Sequence, residues 1–379
     1  MEKSSVCAGS KFKGRLCGMG ILPMVTGWKP VPRVMLALLP LLLALCGCDF
    51  VVQPLGGSEG RTLVYVAVGK LGAPNAGIIC TRLGAIVIDS MLSPAQGEKL
   101  NNEALAKERV FWESLYALRK EQKKTLAPPV LYVFNTTFRA THTFGNQAFD
   151  KLADIISTAK AKERLEVDGA LMRAELRDQW KVPFLEGHAT TSATITLDEG
   201  TLNLDTPDIK IKFAAMGDCA GEGDAVVYLP VQKVLFAGDL VIPGFIPYYK
   251  SRTLSARNWI EALKKLEKWN IETVVPGHGE IAKKEAITQQ REFLEALVNE
   301  VAQAIKAGKD MEKAAQTVKL PQYAKWQRYD EWLAENVKLV YRELKSGGAA
   351  AGAEQKTSAV GGGAVEPVAV EHPDGFRDK

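Results

Sequence analysis

The stretch Val130–Phe149, VLYVFNTTFRATHTFGNQAF, carries the reading of this chain. It begins as an apolar strand, VLYVF, and passes through Asn135, Thr136 and Thr137 into a segment holding Arg139 and His142. Such a strand-to-helix turn has the frame of a metal-binding loop, because side chains leaving one turn can converge on one ion. Most of the ligands that frame would need are other residues here.

Outward from it, the pattern is of strands closed by helices. Upstream, Thr62–Gly69, the run AGIICTRL and Gly84–Ser90 read as three short strands bounded by Gly, Pro and Asn turn signals. A helical pattern then runs from Ser93-Pro94 to about Lys120, with Leu105, Val110, Leu115 and Leu118 near helical spacing. Downstream, SATITL, TLNL, IKIKFAAM, DAVVYLP and KVLFAGDL are strands, the last two turned by Pro230-Val231-Gln232. A helix over Ser255–Trp269 follows, its stripe formed by Trp259, Ile260, Leu263 and Leu266, and strand TVVPG leads to His278. Two strand-rich halves, each closed by helices, predict an α/β (α+β) fold in which two sheets pack face to face with helices outside, a four-layer αββα sandwich.

The ends differ from the middle. Lys29 and Arg33 precede MLALLPLLLALC, Met35–Cys46, which has the length of a signal-peptide core rather than a membrane span. Leu45-Cys46-Gly47-Cys48 resembles a bacterial lipobox, which implies lipidation of Cys48 and export, with Cys46 standing where Ala or Ser is usual. A plainly cleaved secreted form and an uncleaved anchor are the alternatives; all three put the body in the periplasm or outside the cell. Met19, Met24 and Met35 are candidate starts. Residues 1–48 are thus a signal and lipobox region, 49–60 a linker, 61–285 the sandwich domain, 286–346 a C-terminal helical extension, and 347–379 a Gly/Ala-rich tail expected to be disordered.

Composition excludes other classes. The net charge of +4 is spread over 48 basic and 44 acidic residues without a basic block in the body, so no nucleic-acid footprint exists. Of six cysteines only Cys80 and Cys219 lie past the signal region, which is no disulfide framework, and no bridge is expected. Trp259, Trp269, Trp326 and Trp332 fall at helical spacing and read as core.

Together these motifs resemble the metallo-β-lactamase fold superfamily, whose members are mostly zinc-dependent hydrolases. NAGIICTRLGAIVIDSMLSP is similar to its opening meander, ending in a structural aspartate, here Asp89; GDCAGEGDAVVYLPVQKVLFAGDL is similar to the segment with the third histidine and the bridging aspartate, here Asp239; VVPGHGE is similar to the last ligand loop, with His278 at the ligand position. The family loop Thr-His-x-His-x-Asp-His is here Thr136-Thr137-Phe138-Arg139-Ala140-Thr141-His142, and the downstream histidine position holds Ala220. The resemblance therefore implies seven ligands, of which His142, Asp239 and His278 remain, a residual second metal site.

Arg139 is expected to replace metal charge at the lost first site, pairing with Asp239 and Asp89, or else to point to solvent at the loop edge. His142 and His278 are either ligands or packing residues; Cys219, Asp218 and Glu222 are weak substitutes for the lost histidine; His188 and His372 read as solvated. Thr137, Thr141 and Cys219 are poor nucleophile candidates without a separate base. The leading expectation is an exported pseudoenzyme whose cleft binds a small molecule or protein, with a membrane partner through the lipid anchor. The alternatives are a mononuclear zinc hydrolase of an ester, amide or thioester, in which Asp239 and His278 take part, and a scaffold acting through its helical extension. The cofactor expectation is one zinc ion or none.

Overall fold

A computed structural model describes residues 50–58, 61–70, 73–119, 129–178, 190–247 and 255–350. The first sheet has seven strands in the order β1 (Phe50–Ser58), β2 (Arg61–Gly69), β3 (Ala76–Cys80), β4 (Ala85–Ile88), β5 (Val130–Phe134), β6 (Asp154–Thr158) and β7 (Ile195–Leu197). The second has six, in the order β13 (Ala282–Lys283), β12 (Thr273–Pro276), β11 (Val234–Gly238), β10 (Asp224–Leu229), β9 (Lys210–Gly217) and β8 (Thr201–Asp205). Strands β4, β5, β6 and β7 run parallel to one another, as do β11 and β12.

The sheets pack face to face through one apolar cluster, in which Phe134 of β5 and Phe213 of β9 have ring centroids 5.2 Å apart. Gly77 allows that approach: a Cβ there would lie 2.5 Å from the Phe236 ring. A second cluster lies on the outer face of the second sheet and joins it to α4 (Ala256–Glu267), α5 (Glu285–Lys306) and α7 (Tyr329–Ala350). The first sheet is covered by α1 (Pro94–Arg119), which buries Leu100, Ala104, Phe111 and Leu115. A small cluster beneath α3 (Ala159–Asp178) holds Phe138 and Leu165. Helices outside two apposed sheets make the expected αββα arrangement, with the C-terminal helices added to one side.

Several details differ from the sequence reading. Residues 50–58, expected within a linker, form edge strand β1, paired antiparallel with β2 through bulges near Pro54, Gly56 and Gly57. The pattern Gln53-Pro54-Leu55-Gly56-Gly57 reads as loop because Pro and Gly disfavour a strand interior, but an edge tolerates both. Val110, expected on the buried stripe of α1, is 56% exposed, and the stripe runs instead through Ala104, Glu108 and Phe111. The final helix continues to Ala350, past the expected end of the extension, and α6 (Met311–Thr317) interrupts it from α5. β6 and α3 had no sequence expectation. Cys80 and Cys219 are free and buried, Trp259 is fully buried, and Trp269, Trp326 and Trp332 pack against the same outer cluster. The signal region with Cys48, His188 and His372 lie outside the described residues.

Candidate functional site

Asp89 follows β4, Thr136 to Arg139 follow β5, Asp239 follows β11 and His278 follows β12, so all stand at the carboxyl ends of strands in parallel pairs. Open α/β sheets place their ligand crevices at such ends, because the chain leaves the sheet there in loops free of ladder bonds. The two sheet ends come together closely. A Cβ on Gly238, whose φ is +52°, would meet Thr136 Oγ1 at 2.4 Å; within the second sheet, one on Gly277 would meet Asp239 Oδ1 at 2.5 Å.

Asp89 has φ +57°, a left-handed conformation that Asp tolerates better than most residues. It turns its carboxylate inward. Oδ1 accepts the Thr136 backbone N–H at 2.8 Å, and Oδ2 accepts the Thr136 hydroxyl at 2.7 Å and stands 2.9 Å from His142 Nδ1. His142, on the one-turn helix α2 (Ala140–Thr143), is fully buried, and its carbonyl accepts both the N–H and the hydroxyl of Ser90. Its other ring nitrogen, Nε2, lies 3.1 Å from Asp239 Oδ1. His142 therefore bridges Asp89 and Asp239.

His278 Nε2 is 3.7 Å from the same Asp239 Oδ1, and the two histidine rings meet edge to face with centroids 5.3 Å apart. Arg139 comes from the opposite side: Nε lies 3.2 Å from Asp239 Oδ2, a charge contact, while Nη2 donates to the Ala220 carbonyl. Its side chain is 20% exposed, directed into the cleft rather than to open solvent. Asp89, which the sequence reading also offered to Arg139, is occupied by Thr136 and His142 instead. It supports His142 from behind, as the orienting carboxylate of a histidine does.

The charges are consistent with the geometry. Burial works against a charged imidazole, but Asp239 and Asp89 outweigh it and push His142 up to about 10. Burial likewise opposes the Asp239 carboxylate, which His142, His278 and Arg139 nevertheless hold well below the usual carboxylate range. Nearby, Asp224 is buried with Oδ2 accepting the Gly221 N–H; burial raises it to about 7 against the pull of Arg139.

Metal fit can be tested on these atoms. Thr137, Arg139 and Ala220, which the resemblance sets at first-site positions, offer a hydroxyl, a guanidinium and a methyl, none of them an ordinary zinc donor. Zinc at about 2.0–2.2 Å from each ligand puts tetrahedral ligands roughly 3.4 Å apart. Among the described residues one group of three potential ligands gathers, His142, Asp239 and His278, with ligand atoms all within 4.8 Å of one another, a looser cluster than that spacing. Of the suggested substitutes, Asp218 pairs with Lys160, Glu222 with Arg164 at 3.4 Å, and Cys219 donates to the Met216 carbonyl. Burial, then the charges of Asp224 and Asp218, raise the Cys219 thiol well above its ordinary value, which leaves no thiolate nucleophile.

A sequence-family model of the metallo-beta-lactamase superfamily matches residues 69–278, more than half of the chain. The chain belongs to that superfamily. Its structure is similar to the stereoselective inverting sec-alkylsulfatase Pisa1 from Pseudomonas sp., at 17% identity and TM-score 0.57 over 75% of this chain and 49% of that one. A double mutant of the sulfatase matches alike, with TM-score 0.56, and DIM-1 metallo-beta-lactamase at 16% identity and TM-score 0.48, over 65% of this chain and 98% of that one. At such identities the likeness is of fold alone, and the chain spans about half the length of the sulfatase. A comparison with curated proteins finds no match.

One organising residue was missed. Asn75 is buried; its amide donates to the carbonyls of Pro276 and Gly279 at 2.9 Å each, and its Oδ1 accepts the Gly69 N–H at 3.0 Å. It fixes both flanks of His278. The sequence signal was an Asn before strand β3, which reads simply as a turn.

Proposed function

We propose that this is an exported member of the metallo-beta-lactamase superfamily that has given up the paired metal centre and uses its cleft for binding. The observation that carries the reading is the Arg139 guanidinium against Asp239 at 3.2 Å, where the fold otherwise gathers ligands for metal. A permanent cation satisfies the buried carboxylate, which would otherwise be costly to leave unpaired. His142 closes the same network from the other side through two carboxylates, so the site is held together without an ion.

A second reading is favoured by the spacing of His142, Asp239 and His278. These three would hold one zinc ion, which would supply an activated water for hydrolysis of an ester, amide or thioester; Asp89 would keep His142 oriented. It requires His142 Nε2 to give up its proton and Asp239 to accept zinc beside Arg139. Elemental analysis of the purified protein after dialysis separates the readings. Binding without metal predicts well under one zinc per chain. One zinc, lost in both His142→Ala and His278→Ala and held tighter in Thr141→Asp, establishes the second reading. Two tightly held zinc ions with chelator-sensitive hydrolysis overturn both.

A further inference from the structure

The C-terminal extension buries few polar side chains. Among its described residues they are Gln290 of α5 and Asn336 of α7, exposed by only 1% and 3%. A buried amide is unfavourable unless it is hydrogen-bonded, so where it is directed matters. Both are directed at one segment, the chain leaving Asp239. Gln290 Oε1 accepts the Ile242 N–H at 3.4 Å, and Asn336 Nδ2 donates to the Pro247 carbonyl at 2.7 Å.

Between these two points the extension holds the same segment by its backbone. Gln327 N–H donates to the Gly244 carbonyl at 2.8 Å and its carbonyl accepts the Ile246 N–H at 3.0 Å, an isolated parallel bridge centred on Phe245 and Gln327. The result is aimed at the cleft. Phe245 is half-buried, and its ring lies 3.8 Å from where a Cβ on Gly279 would stand, immediately after His278. Asn75 braces that loop from the first sheet through the Gly279 carbonyl. The His278 loop thus sits between an amide of the first half and an aromatic ring held by the extension.

We infer that the extension is a positioning element of the cleft: Asn336, Gln290 and the Gln327 backbone fix residues 242–247 so that Phe245 sets the place of His278. The apolar faces of α5 and α7 pack into the outer core, where Phe293, Leu297, Leu333, Val337 and Val340 lie. The inference needs neither reading of the metal question, because it concerns the position of His278 and not what His278 binds.

The test uses nuclear magnetic resonance of the metal-free protein with three variants. Asn336→Leu removes the bond to Pro247 at similar volume, Phe245→Ala removes the ring, and Val337→Ala makes a cavity on the same helix facing the outer core. Expected are at least tenfold faster amide exchange at Ile246 in Asn336→Leu, and displaced His278 ring resonances in both Asn336→Leu and Phe245→Ala. Val337→Ala should lower the melting temperature while leaving the His278 ring where it is. His278 resonances unmoved in Asn336→Leu, or moved as far by Val337→Ala, would overturn the inference.

Discussion

Replacing Arg139 by Ala removes the cation from Asp239 Oδ2 and the donor from the Ala220 carbonyl. Breaking a buried ion pair by deleting one partner costs about 3–5 kcal/mol, since the other charge stays buried. Two features lower that figure here. The Arg139 side chain is 20% exposed, so water screens part of the pair, and Asp239 keeps His142 at 3.1 Å and His278 at 3.7 Å. The expected loss is therefore about 2–3 kcal/mol. At roughly 2–4 °C per kcal/mol for a domain of this size, the melting temperature should fall by about 4–12 °C. Urea unfolding at neutral pH with a chelator present measures it, and Arg139→Lys should recover part of the loss by restoring charge without the planar fork. Zinc supplies a second readout. A guanidinium about 4 Å from a zinc dication is repelled by roughly 8 kcal/mol at an effective dielectric of 20, so Arg139→Ala should bind added zinc more tightly than the wild type. A variant with unchanged stability in chelator and unchanged zinc affinity would refute the role given to Arg139.

Two other predictions are independent of the cleft. Glu108 is fully buried on α1, its Oε1 accepts the Trp112 indole N–H at 3.1 Å, and burial raises its pKa from 4.5 to about 8. The folded state then holds a proton that the unfolded state releases, so this stabilisation is complete below pH 4.5 and is lost as pH rises through about 8. Glu108→Gln should thus leave the melting temperature near its wild-type value at pH 4.5 and raise it by about 10 °C at pH 8.5; equal effects at the two pH values in scanning calorimetry count against it. For the exported form, metabolic labelling with a fatty acid should be lost in Cys48→Ala and kept in Cys46→Ala, and equal labelling of both would show that the lipobox is misassigned.

Where the sequence was informative, the reason is local. Alternation and turn residues mark β2 to β5 and β7 to β12, because apolar side chains on strands between two layers leave a pattern within a few residues. The order of loops after those strands was legible too, and with it the meeting of Arg139, His142, Asp239 and His278 in one place. Short or atypical elements were not: β1 is broken by Pro and Gly at an edge, and β13 is two residues long.

Tertiary structure decided between the two carboxylates that the sequence offered to Arg139. A residue's spacing says that Arg139 leaves the turn after β5, but its carboxylate partner depends on how close the two sheet ends come, which Gly238 sets by admitting Thr136. The same holds for Asn75, whose amide spans from the first sheet to the His278 loop, and for Glu108, a charged residue that packing encloses on the buried face of α1. It holds most for the extension, where periodicity announced helices and nothing in it indicated that the buried amides of Gln290 and Asn336 would both turn to the chain leaving Asp239. Periodicity records which side of an element avoids water; the partner on that side is a property of the packed whole.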